Sequence, residues 1–394
     1  MSAPSISFDS LARVLPERTV RLGWLLLAAG VVIAAAGYIV DPVHSAFVHN
    51  IYFLYLTSIS AGAVFLVALE YITGAVWSVP MRRVSEYLSV LVPVAALVAV
   101  PLFFRLHDLF HWTHEEAVAA DTVLQSKQPY LNVNFFTIRF VVLFGLLTLF
   151  AWLFRRNSAK QDTTKDQKLT SRNAKLAAGF IPLFAIIITF IAIDWAMSLE
   201  PHWFSTIYGV YFFSGTVVAT LAAVTFIVLM FMEANILPQL RRDHLYSLGA
   251  LMFAFLNFWA YIAFSQFMLI WYANLPEETF WFMVRWENGW QYFSVGLIVL
   301  QFAVPYLVLL PQDAKMDPKR LKFISAWLLV AHLADIYWLV LPTHVKTLGF
   351  SWYEIGYPAA LVGLVIVTLS IMVRRRNPIP VGDPKLERAL DFHL

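Results

Sequence analysis

Residues 193–203 read IDWAMSLEPHW, and their reading decides the fold. An apolar run over 176–197 ends here on an acid, Asp194, with Pro201 seven residues on and His202 beside it. The same order returns at Asp335, Pro342 and His344. An ionisable side chain inside a long apolar run is costly, so it marks a functional position by default. Two of them in matching surroundings predict a duplicated architecture with its polar groups toward one membrane face.

The composition sets the same frame. Of 394 residues, 60% are hydrophobic and 13% charged, and the mean hydropathy is +0.69, the profile of a polytopic helical membrane protein. Ten apolar windows, each long enough to cross a ~30 Å hydrocarbon core, fall at 22–40, 51–72, 87–104, 134–154, 176–197, 207–232, 248–271, 290–310, 321–341 and 357–373. Of the 28 Lys and Arg, 23 lie in the N-terminal segment, the loops around 82–83, 155–175, 241–242 and 315–322, and the C-terminal tail. The opposite loops hold only Arg105, Lys127, Arg285 and Lys346, and Arg139 lies within a span. That asymmetry places both termini in the cytoplasm. The N-terminal segment carries Asp9, Arg13, Glu17, Arg18 and Arg21 and lacks a short apolar core with a small-residue cleavage site, so no cleaved signal peptide is expected.

Several chemistries are excluded. There is no cysteine, hence no disulfide, Cys-ligated iron–sulfur cluster or covalent c-type haem on this chain. No Gly-rich phosphate loop supports a nucleotide-driven pump, and loop-confined basic residues do not make a nucleic-acid surface. Only His332 of ten histidines falls inside a span, which argues against a transmembrane b-haem with two facing axial ligands.

The segment 155–175, RRNSAKQDTTKDQKLTSRNAK, has no apolar periodicity and reads as a flexible charged loop, either stop-transfer charge or a contact with anionic lipid or a partner. In the loop after span three, His107, His111 and His114 share one face of a helix, with Asp108, Glu115 and Glu116 nearby. Such spacing suits a divalent metal, but no second cluster completes a shell, and a solvated docking surface is the preferred reading.

An internal repeat is visible. Ile51-Tyr52-x-x-Tyr55-x-x-Ser58 opens span two, and Ile207-Tyr208-x-x-Tyr211-x-x-Ser214 opens span six. Spans three and seven each run out to a Trp and paired acids, Trp112 with Glu115 and Glu116, and Trp271 with Glu277 and Glu278. The matches follow helix order and orientation, so the repeat is parallel. The expected fold is an all-α integral membrane protein of ten transmembrane helices. Spans 2–5 and 6–9 form two parallel-repeat four-helix bundles, flanked by spans 1 and 10, with boundaries at 1–45, 46–200, 201–345 and 346–394. The halves have diverged: Ile191 stands where His332 would be, and Arg139 has no charged counterpart in span eight. The Tyr pairs Tyr52/Tyr55 and Tyr208/Tyr211 are assigned to the outer aromatic belt, and Trp259, Trp271, Trp281 and Trp286 to interfacial anchors.

The IYxxYxxS openings, HDLFHWTHEE at 107–116, YLNVNFFTIRF at 130–140 and the aromatic run at 258–286 together resemble the NrfD, or polysulfide-reductase-type, membrane subunits. Within them the resemblance is to the smaller NrfD-like, quinone-binding-type subunits of bacterial alternative complex III. It spans nearly the whole chain, through loose signatures. It implies two four-helix bundles without a redox cofactor of their own, in a bacterial inner-membrane quinol:electron-acceptor (cytochrome c-type) oxidoreductase. The implied partners are a larger NrfD-like paralogue, iron–sulfur and haem c subunits at the outer face, other small membrane subunits and a terminal oxidase. Quinol or menaquinol would bind near the outer face, in this chain or in its paralogue.

Two groups of residues are then candidates. Asp194 lies about 18 residues into its helix, or ~27 Å along it, and Arg139 sits at a similar depth. They form a buried ion pair, or wall a quinol pocket with His107, Asp108 and His111, or snorkel to the interface. Glu70 and Glu233 at the inner ends of their spans, the hydroxyls of Tyr55 and Ser58, and the adjacent His332 and Asp335 are candidates for a proton path, His332 and Asp335 being read as a His–Asp pair. Packing hydrogen bonds and helix-end snorkelling are the competing readings, and a stand-alone ion- or proton-coupled secondary transporter or a purely structural scaffold the competing functions.

Overall fold

The computed structural model describes residues 14–393; the N-terminal Asp9 and Arg13 lie outside them. The described chain is helical throughout, and ten helices are long and apolar enough to cross a membrane. They are α1 (Glu17–Val40), α2 (Pro42–Thr73), α3 (Val79–Phe103), α4 (Val133–Thr164), α5 (Lys168–Leu199), α6 (Tyr208–Glu233), α7 (Arg242–Ala273), α8 (Trp290–Leu309), α9 (Pro318–Thr343) and α10 (Trp352–Arg375). The chain is thus a multi-pass membrane protein. Local chemistry sets several boundaries. Asp41 caps α2 through the His44 N–H and Pro42 opens its first turn, Asn132 caps α4 through the Phe135 N–H, and Asp317 caps α9 through the Lys319 N–H. Pro305 cannot donate to residue 301, and a π-turn over Val299–Ala303 absorbs the mismatch inside α8.

The centre of the molecule is α2 against α6. Both are buried almost all round, and they meet closely where Gly62 of α2 lies against Thr216 and Thr220 of α6, the Thr220 hydroxyl reaching the Ile59 carbonyl at 3.4 Å. A Cβ on Gly62 would run into the Thr220 hydroxyl, so glycine is what lets the two backbones approach. Around this axis, α2 also packs on α3, α5 and α9, and α6 on α5, α7 and α9. At the periphery α1 and α10 pair antiparallel. Cβ atoms on Gly30 and Gly363 would collide with the backbones of Ala360 and Leu27. We call the side on which α1 begins and α10 ends the terminal face, and the other the far face.

Three expectations are corrected. The 155–175 segment is not a flexible loop: α4 continues to Thr164 and α5 starts at Lys168. The two helices are tied there by Asn157 to Asn173 at 2.7 Å and Gln161 to Thr170 at 2.7 Å. Tyr55, Tyr208 and Tyr211 are not in a lipid-facing belt but buried in the core, and Trp259 and Trp281 are buried as well, whereas Trp271 and Trp286 are exposed. His107, His111 and His114 do not share one helix, because the chain breaks at Phe110 and again at His114. The loop nonetheless stacks the His107 and His114 rings 3.7 Å apart.

Candidate functional site

Asp194 ends α5 at the far face with 1% of its surface exposed. Arg139, in the second turn of α4, donates Nε to Oδ2 and Nη2 to Oδ1, both at 2.9 Å. The Tyr130 hydroxyl donates to Oδ1 at 2.9 Å, and Arg139 Nη1 donates to the Tyr130 carbonyl at 2.8 Å. The guanidinium lies over the Tyr130 ring at 3.8 Å and the Phe135 ring at 4.4 Å. A bidentate pair with both oxygens answered, sandwiched between aromatic rings, is a structural clamp. Of the readings open to Asp194 and Arg139, the buried ion pair is the one that forms. His107, Asp108 and His111 do not join it. Asp108 pairs with Arg105 at 3.1 Å, and the histidines interact among themselves.

A cavity of about 380 Å³ lies beside the clamp, lined by Lys127, Tyr130, Met197, Ser198, Trp203 and Phe204 among others. Lys127 donates to the Pro201 carbonyl, and partial burial lowers its ammonium below the ordinary lysine range. His202 holds the rim by pairing with Asp121, whose carboxyl that hydrogen bond draws below the usual range.

The second half is organised differently. Asp335, 2% exposed, accepts from the Tyr211 hydroxyl and from Trp259 Nε1 at 3.2 Å, and among the described residues no cation pairs with it. His332 does not bond to Asp335, which corrects the predicted pair. Its Nε2 instead meets Ser58 Oγ at 2.9 Å across the α2–α9 seam. Ser58 Oγ also lies 2.9 Å from the Tyr55 carbonyl. A hydroxyl has one hydrogen, so it donates either to His332 or to Tyr55, and the second choice requires Nε2 to carry the imidazole proton. His332 Nδ1 is buried without a hydrogen-bond partner among the described residues. Gly215 faces both groups: a Cβ there would lie 3.2 Å from the His332 ring and 3.5 Å from Asp335 Oδ2. Tyr55 completes the cluster, its ring 5.6 Å from that of His332 and its hydroxyl donating to the Leu329 carbonyl at 3.0 Å. Four of the six proton-path candidates therefore converge where α2, α6 and α9 meet. Glu70 stands apart at the terminal end of α2, paired with Arg82 at 3.0 Å. Glu233 is on the surface with Lys322 at 2.7 Å.

Buried charges that the sequence reading did not single out include Arg285 and Glu354 at the far face. Arg285, counted above as a loop charge, is 2% exposed. It donates to the carbonyls of Trp338 at 3.0 Å, Leu339 at 2.9 Å and Trp281 at 2.8 Å, and stacks over Trp281 at 3.4 Å. It answers carbonyls of the last turns of α9, as a cation at a helix C-terminus does, and burial lowers its guanidinium to about 9. The legible signal was a lone arginine between two tryptophans on the side otherwise poor in positive charge. Glu354, at the start of α10, is 1% exposed and accepts from His44 Nε2 at 3.0 Å, the Ser351 N–H at 2.8 Å and the Tyr337 hydroxyl. It was the only acid between 336 and 386 once Asp383 is set aside, which offered little to single it out.

No protein-family model matches this chain, and no curated protein matches it.

Proposed function

We propose that this chain is the proton-handling membrane subunit of a quinol:electron-acceptor oxidoreductase of the NrfD type, like the smaller NrfD-like subunits of alternative complex III. The observation that carries the reading is the Asp335–Tyr211–Trp259 and His332–Ser58–Tyr55 cluster. A carboxyl buried in the membrane without a counter-cation, next to an imidazole with a free nitrogen, is an arrangement suited to moving a proton and unfavourable as a mere packing device. Asp194, by contrast, has both oxygens held by Arg139 and Tyr130, which supports a structural role for this end of α5.

In this reading α2–α5 and α6–α9 are the two four-helix bundles, joined through α2 and α6 and flanked by α1 and α10. The terminal face is cytoplasmic, in a bacterial inner membrane, and the far face is outer. Quinol is oxidised at the outer side, in the paralogue or at the cavity bordered by Tyr130, Lys127 and Ser198, whose apolar walls and few polar groups suit a ring headgroup. Electrons leave through haem c and iron–sulfur centres on partner subunits, since this chain has no cysteine to hold either. A stand-alone transporter is disfavoured by the parallel sense of the repeat. Purification from native membranes in a mild detergent tests the assembly. The chain is expected to travel with haem- and iron–sulfur-bearing subunits and with quinol-oxidising activity, and a chain that runs alone contradicts the proposal.

A further inference from the structure

The terminal face holds a second buried charge cluster. Arg82, 3% exposed, meets three carboxylates: Glu70 of α2 at 3.0 Å, Glu86 one turn along α3 at 3.7 Å, and Asp383 of the C-terminal tail. Its neighbour Arg83 meets Glu86 and, from α4, Asp162. Two guanidiniums thus serve four carboxylates, and one of them serves three. The other cations facing the cluster give their hydrogens to backbone carbonyls: Arg155 to Ala151, Lys165 to Val381, Arg376 to Arg155 and Lys385 to Gly74. Tyr71 and Tyr87 complete the titratable neighbours, Tyr71 under the Arg82 guanidinium at 4.6 Å and Tyr87 donating to the carbonyls of Arg376 and Asn377.

A second observation is independent of the charge count. The Tyr71 hydroxyl, Ser78 Oγ, Arg83 Nε and Ser158 Oγ are all buried without a hydrogen-bond partner among the described residues, while Arg82 Nε and Glu86 Oε1 face each other at 3.7 Å, beyond hydrogen-bond reach. Unpartnered donors and acceptors gathered around one charge cluster are the setting that ordered water serves. A cleft of about 500 Å³ between α2, α6 and α7 opens onto Glu70, Ser78 and Arg82. From the other side the tail closes over the cluster. Gly382 lies so near the Gln161 carbonyl that no Cβ fits, and its N–H donates to Asp162 Oδ1 at 3.2 Å. The tail thereby delivers Asp383 to Arg82.

We propose that Glu70, Glu86, Asp162 and Asp383, crowded on Arg82 and Arg83, hold a proton in common at the terminal face, and that tail-borne Asp383 sets how tightly it is held. Like charges on a shared cation in a low-dielectric site disfavour full ionisation, and the proton belongs to the group rather than to one residue. Loading takes a proton from water and forms one carboxyl O–H bond, and unloading returns it; no electrons move. The inference deepens the proton-handling reading and rests on it for its purpose: the site would supply the Asp335–His332 cluster.

The test is an infrared pH titration of protonated carboxyl in native membranes holding the full chain. Asp383→Asn removes one of the three carboxylates on Arg82, and the midpoint of the shared proton is expected to fall by about one pH unit, a roughly tenfold weaker hold. Glu86→Gln also removes one, and its shift in the same direction guards against a tail that simply fails to dock in the first variant. Identical titrations in the wild type and both variants, or upward shifts, overturn the shared proton. The titration needs no turnover, so a flat result with proton movement still dependent on Asp335 removes this site alone. A shifted titration with proton movement indifferent to Asp335 removes the functional reading and leaves the site standing.

Discussion

Replacing Arg139 by Met is expected to destabilise the protein by about 3–5 kcal/mol, because it leaves Asp194 buried and without its counter-charge. The carboxylate would keep only the Tyr130 hydroxyl, and its 1% exposure gives water no access to replace the guanidinium. Arg139→Lys should recover only part of the loss, since a single ammonium cannot reproduce the two parallel bonds from Nε and Nη2. The double variant Arg139→Met with Asp194→Leu should be far less damaged than Arg139→Met alone, because removing both charges removes the desolvation penalty too. Denaturant unfolding in detergent micelles reads all three. A single variant as stable as the wild type would mean that the clamp contributes nothing to the fold.

Gly30→Leu is expected to be damaging on a similar scale, through packing alone. A Cβ at residue 30 already collides with the backbone of Ala360 and lies within 2.6 Å of the Gly356 carbonyl, so the helices, not a side-chain tip, must move. Overpacking commonly costs about 1–3 kcal/mol, and displacing two backbones that meet over most of their length places this change at or beyond the upper end. The expected readout is a lower melting temperature and more proteolysis of α1 and α10, with the α2–α6 centre less affected. Gly145→Leu is the control: nothing lies within 4 Å of its Cβ, and it should behave as wild type. Equal behaviour of the two variants would contradict the close α1–α10 approach.

The two predictions draw on features of unequal visibility in the sequence. The number and order of the spans were legible because twenty apolar residues in a row have few alternatives, whereas the matching openings of α2 and α6 were read only as a repeat and did not show that these two helices form the centre. The Asp194–Arg139 pair was legible as one of three options, because two opposite charges at similar depth in neighbouring spans are drawn together. What the sequence hid depends on partners far apart in the chain. Nothing local distinguishes Glu354 until His44 and Tyr337 are brought to it, or Asp383 until the tail returns to Arg82. His332 and Asp335 misled for a related reason. Three residues apart on one helix, they lie on one broad face, but Ser58 of α2 and Tyr211 of α6 approach from different sides and take one each. The tyrosines misled because an aromatic at a span end fits a lipid interface and a buried seam equally well by type. The 155–175 segment misled because polar helices are stabilised by partners: its two arms bond each other through Asn157 and Asn173, and Arg83 and the tail hold it from outside.

In the proposed function this chain carries protons through the cluster at Asp335 while partner subunits carry the electrons. The most direct measurement is the number of protons moved per quinol oxidised by the intact complex in proteoliposomes, wild type against Asp335→Asn. Asparagine keeps the volume, and with its oxygen turned to the Trp259 N–H and its amide donating to the Tyr211 oxygen it keeps both contacts, but it cannot take up or release a proton. The expected result is a loss of most of the proton yield with the complex still assembled and still oxidising quinol. An unchanged proton yield at unchanged turnover would contradict the account.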